Sequence, residues 1–159
     1  MGLWRDIRPD DLALNLAVAP ETGELVLYRI DDLSGRNTTS ADVADRFVKN
    51  NPQFRVQDKV TIPAMTLNAI VAQHAGGRWP DFLSLDLEGL DYAALQAVDF
   101  SNGRPSVICL EWRDAEGGDG SAPFMPLLAN QGYVSAFRTW GNIIAVRDDL
   151  LAALGLSRA

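Results

Sequence analysis

Apolar and polar positions divide the chain into alternating strand and helix signals. Asp11 to Val18 and Glu24 to Ile30 read as strands, and Pro20-Glu-Thr-Gly23 between them predicts a hairpin. Ser40 stands as a cap before Val43, Ala44, Phe47 and Val48, which recur at helical spacing until Asn50, Asn51 and Pro52. Val56 to Ile62 alternates as a strand, and Thr66 opens a helix with Leu67, Ile70, Val71 and Ala75 inward and Gly76-Gly77 as its stop. In the next segment, Phe82, Leu83, Leu85 and Leu87 form the near-continuous apolar run of a strand covered on both faces. Gly89 marks its sharp exit into a helix striped by Leu90, Ala93, Ala94, Ala97 and Val98. Asn102-Gly-Arg-Pro105 is a turn, Ser106 to Trp112 a second apolar strand, Ala115 to Ser121 an acidic glycine-rich loop, and Pro123 to Gln131 a short helix. Strands at Tyr133 to Thr139 and Asn142 to Arg147, joined through Trp140-Gly141, precede a small terminal helix.

This order predicts an α/β fold, a Rossmann-like sheet with an antiparallel C-terminal hairpin. A length of 159 residues, 47% of them apolar, suits one domain over residues 1–159, without repeat or linker. The formal charge of −7 argues against a nucleic-acid partner, whose phosphates are bound largely through Lys and Arg. No stretch approaches the roughly 18 apolar residues of a membrane span. The start Met1-Gly-Leu-Trp-Arg-Asp lacks the basic-then-apolar order of a secretory signal, so the expected location is the cytoplasm, without a membrane partner. Cys109, the one cysteine, sits in an apolar strand and reads as a small buried hydrophobe in a reducing compartment.

Ligands of open α/β sheets bind outside the carboxyl ends of the strands, which makes Asp86, Glu88 and Glu111 candidates for chemistry. Asp86 and Glu88 are two apart on a strand and share a face unless the turn has begun, and such a pair raises one pKa by repulsion. The competing reading is that Asp86 caps the next helix or faces water at the strand end, and that Glu111 is a plain surface strand end. Trp112 is either a wall or core. The three carboxylates are also the oxygen ligands that Mg or Mn takes, but only their number speaks for it, and no metal site is predicted. His74 near a helix end suits the dipole. Arg138, Trp140 and Arg147 are either the rim of an acceptor pocket or exposed hairpin residues.

Taken together, these segments resemble the FkbM family of S-adenosylmethionine-dependent methyltransferases. Asp81 to Leu95, with its Asp86-Leu-Glu88-Gly89 turn, is similar to the family's fourth strand and following helix. Asn15-Leu-Ala17-Val18 with Gly23-Glu-Leu resembles its third strand and hairpin, and Asn37-Thr38 its polar segment before a helix. Ile62-Pro63 through Thr66-Leu67, and Arg104-Pro105 through Glu111, resemble the next strand-to-helix step and the fifth strand. The resemblance spans about residues 8 to 148 and implies methylation of a sugar or natural-product hydroxyl, a small-molecule or saccharide acceptor, and S-adenosyl-L-methionine as cofactor. It implies Asp86, Glu88 and Glu111 as catalytic residues and Ala17 and Asp86 as cofactor contacts.

The family's first strand, glycine-bearing loop and acidic second strand have no counterpart. Gly35, Gly76-Gly77 and Gly117-Gly118 do not supply the loop, because none follows an apolar strand and opens a helix. The fold is therefore expected to be N-terminally incomplete, with a sheet edge left unpaired beside the fourth strand. Orphaned buried backbone groups cost about 1 to 3 kcal/mol each. The expected cover is the Asp11 to Ile30 hairpin, a second copy in a homo-oligomer, or the rest of a longer protein. The alternative to an enzyme is a catalytically inactive remnant or association module of the same fold.

Overall fold

The computed structural model describes residues 6–30, 36–112, 120–151, 153 and 155; Gly35, Gly117-Gly118 and the end of the expected terminal helix lie outside the described residues. The elements are β1 (Ala17–Val18), β2 (Gly23–Arg29), α1 (Ala41–Asn50), β3 (Asp58–Met65), α2 (Leu67–His74), β4 (Phe82–Leu85), α3 (Asp91–Gln96), β5 (Val107–Glu111), α4 (Phe124–Asn130), β6 (Tyr133–Arg138) and β7 (Asn142–Arg147). A single 3₁₀ turn, Asp148–Leu150, follows β7.

Both caps read from the sequence are in place. Ser40 Oγ accepts from the Val43 N–H (3.3 Å) and Thr66 Oγ1 from the Ala69 N–H (3.1 Å), satisfying donors that the first helical turns leave open. Past the end of α2, Gly76 and Gly77 take φ of 60° and 75°, the left-handed conformation that stops a helix and that glycine adopts without steric cost.

The strands form two sheets, ordered β1-β3-β2 and β4-β5-β7-β6. The expected N-terminal hairpin is corrected: β1 and β2 do not pair with each other, because β3 lies between them. β1 runs parallel to β3 (Ala17↔Ala64), while β2 runs antiparallel to it from Gly23↔Ala64 to Arg29↔Asp58. This arrangement occupies both edges of β3. The strand expected from Asp11 shrinks to two residues, and Leu12 stands 65% exposed. In the second sheet β4 is parallel to β5, and β5, β7 and β6 follow as antiparallel neighbours, so the predicted antiparallel end is present.

One face of the second sheet carries the core. Leu85, Ile108, Leu110, Ile143, Ala145 and Tyr133 pack against Leu67 of α2, Leu95 of α3, Val98, and Phe124 and Leu128 of α4. Val18, at the end of β1, also packs on this cluster. The opposite face is thinner: Phe82 is 56% exposed, Ser84 is exposed, and Cys109 is half-buried rather than buried. The expectation of a β4 covered on both faces thus holds for one face only, since the helices that follow β3, β4 and β5 all contribute to the same core. Among the described residues no strand pairs with the far edge of β4, and its exposure leaves those backbone groups to water. No helix among the described residues is long and apolar enough to cross a membrane.

Candidate functional site

Parallel β4 and β5 end side by side, with Leu85 opposite Leu110, and the next residue on each is a carboxylate: Asp86 just past β4 and Glu111 at the last position of β5. Asp86 leaves β4 exposed. The chain then turns sharply: Glu88 is the one non-glycine residue at positive φ (52°) among the described residues, and Gly89 follows at 99°. Asp91 closes this turn. Its carboxylate, 5% exposed, accepts the Leu87 N–H through both oxygens at 3.1 Å, pinning the peptide between Asp86 and Glu88. Asp86 therefore does not cap the next helix; α3 has Leu90 at its N-cap without a side-chain bond.

Burial and neighbouring charge raise the proton affinity of Glu88, Asp91 and Glu111. Burial pushes the Glu88 carboxyl above its usual range, with Asp86 and Asp91 adding repulsion. Glu111 is raised first by burial, then by the charge of Asp86 and a side-chain hydrogen bond with it, and further by Glu88 and Asp91. Glu111 and the Asp86 carboxylate thus lie close enough at the two strand ends for the one to raise the other. Burial also raises Asp91, against the backbone N–H bonds it accepts.

Glu88, Asp91 and Glu111 line a cavity of about 410 Å³. Tyr92, Trp112 and Phe124 contribute aromatic wall, and Val43 of α1 and Gly120 reach it from elsewhere in the chain. Tyr92 and Phe124 meet edge to face at 5.6 Å. The Arg138 guanidinium lies 4.5 Å from the Trp112 ring centroid and donates to Ser121 Oγ (2.8 Å), bracing that wall from β6. A larger cavity, about 650 Å³, lies at the opposite end of β4 against Pro80 and Asp81, away from the carboxylates.

Glu88 and Glu111 thus come together in one cavity, with Asp86 beside Glu111. Ala17 sits on β1 in the other sheet and is not among the residues lining this cavity. Trp112 is a wall of it. His74 ends α2, as its helix-end reading anticipates, and lines the larger cavity. Trp140 is 79% exposed, and Arg147 pairs with Asp149. Among the described residues no group of three or more His, Cys, Asp or Glu side chains is placed to hold a metal ion. Asp91, Tyr92 and Phe124 were not singled out from the sequence; the signal for Asp91 was its place two residues after Gly89, where a carboxylate can reach back to the turn.

The family model described as the methyltransferase FkbM domain matches residues 6–135. No curated protein and no solved structure matches the chain.

Proposed function

The chain belongs to the FkbM methyltransferase domain family, and from that membership we propose that it transfers a methyl group from S-adenosyl-L-methionine to a hydroxyl of a sugar or natural product at the carboxylate cavity. The observation that carries this reading is the convergence of Glu88 and Glu111, from the ends of two parallel strands, on one aromatic-walled space. In this reading β4-β5-β7-β6 is one side of a Rossmann-like sheet, and the chain works in the cytoplasm.

The side chains suit the cofactor's cationic end: carboxylates and the rings of Tyr92 and Trp112 favour a positively charged sulfonium. The cofactor, when bound, supplies the activated methyl group. The work left to the chain is to orient the acceptor and take its proton, for which positioning matters more than strong base chemistry. Glu88 is the proposed base, because its raised pKa brings it nearer to neutral pH. Glu111 stands beside Asp86, and Asp86 holds the acceptor or cofactor. Ala17, next to the core-packed Val18, is the proposed cofactor contact from the other sheet.

A second reading, an association module without catalysis, is favoured by one observation: Ala17 lies in one sheet while Asp86 follows a strand of the other, and Ala17 does not line the carboxylate cavity. Titration calorimetry with S-adenosyl-L-methionine separates the two. Saturable heat, with methyl transfer reduced about 10²-fold in Glu88→Gln, supports the enzyme. No heat at millimolar ligand overturns it for this chain.

A further inference from the structure

The described residues that line the carboxylate cavity include three carboxylates and three aromatic rings, and no Lys, Arg or His. Asp86, Glu88, Asp91 and Glu111 make no ion pair among the described residues. Arg138 touches the wall through the Trp112 ring, but its guanidinium is bonded to Ser121 Oγ and is not among the described lining residues. The lining thus carries negative charge without a cation of its own to answer it. We propose that the cavity takes an acceptor bearing a protonated amine as well as its reacting hydroxyl, an amino sugar or related amino alcohol, and that Glu111 holds the ammonium. This rests on the methyl-transfer reading only for calling the molecule an acceptor; recognition of its ammonium follows from the lining itself.

Charge complementarity selects this class. Asp91 is satisfied by the Leu87 N–H, which both its oxygens accept. Glu88 and Glu111 remain as lining carboxylates, and burial and mutual repulsion already raise both. A sulfonium offsets one of them. A neutral polyol would leave the other among aromatic rings without a counter-charge, where an unpaired charge is costlier than in water. A uronate or a sugar phosphate would add to the repulsion. An ammonium instead supplies the missing charge and three N–H donors for carboxylate oxygens. Tyr92, Trp112 and Phe124 provide the second half of the recognition chemistry, since ammonium groups are drawn to aromatic faces as well as to carboxylates. Glu111 is the holder for two reasons. β5 is paired on both edges, with β4 and β7, which fixes the backbone that carries it, and Asp86 stands beside it, so that one ammonium meets two carboxylates.

Intrinsic tryptophan fluorescence, to which Trp112 in the wall contributes, reads binding at neutral pH without cofactor. Glucosamine should bind saturably, glucose roughly ten-fold more weakly, and glucuronate not at all. Glu111→Gln, a near-isosteric change that removes the charge, should weaken glucosamine roughly ten-fold and leave glucose unchanged. Glu111→Lys should abolish glucosamine binding and admit glucuronate; circular dichroism shows whether this variant is folded, and where it is not, the Gln variant decides alone. Glucosamine bound through Glu111 in a chain that gives no heat with S-adenosyl-L-methionine would support the ammonium site while overturning the enzyme reading. Cofactor binding in a chain that holds glucose and glucosamine alike would do the reverse. No saturable glucosamine binding, or an affinity indifferent to Glu111→Gln, would likewise overturn the proposal.

Discussion

Burial of Glu111 and its nearness to Asp86 make one residue a reporter of the whole site. The folded chain holds the Glu111 carboxyl above its usual value near 4.5, so folding takes up protons as pH falls toward that range. The stabilisation is complete below the unfolded pKa and is lost as pH rises through the folded one. Glu111→Gln removes this dependence. Thermal unfolding of the variant from pH 4 to 7 should give a flatter profile than wild type, and at pH 7 it should be more stable by roughly 0.5 kcal/mol, a figure kept small because the group is partly solvated. If Glu111→Gln instead steepens the profile, folding does not raise this carboxyl.

At the scale of elements, the turn from β4 to α3 depends on Asp91 as well as on its glycine. Asp91→Ala leaves the Leu87 N–H without its acceptor and should cost about 1 to 3 kcal/mol in denaturant unfolding. It should also lower any methyl transfer by releasing Glu88; unchanged stability would show that the turn closes without Asp91. Local elements were legible in the sequence because their signals are local: Ser40 and Thr66 cap where the hydrophobic spacing starts, and Gly76-Gly77 stop α2. Pairings were less so. Nothing in Asp11 to Ile30 announces that a strand some thirty residues later will separate β1 from β2, since that choice is made by the edges of β3. Asp86, Glu88 and Glu111 were visible as strand ends, but the burial of Asp91 was not, because a carboxylate in a first helical turn ordinarily faces water.

Across the whole molecule, burial is uneven. The four-stranded sheet holds the large core, from Leu85 through Ile143, and the three-stranded sheet joins it through Val18 and the helix begun by Leu67. The carboxylate cavity opens at the strand ends of the better packed half, so its geometry rests on the most buried part of the chain. Its charge adds to an overall balance of −7, and low-dielectric walls focus the field of charges that line a cleft. The consequence is kinetic: a cationic ligand is drawn in over distances beyond contact, while an anionic one is turned away before it arrives. Stopped-flow capture of a cationic ligand such as S-adenosyl-L-methionine should slow as ionic strength rises, and a rate indifferent to salt would mean that these carboxylates act only at touching range.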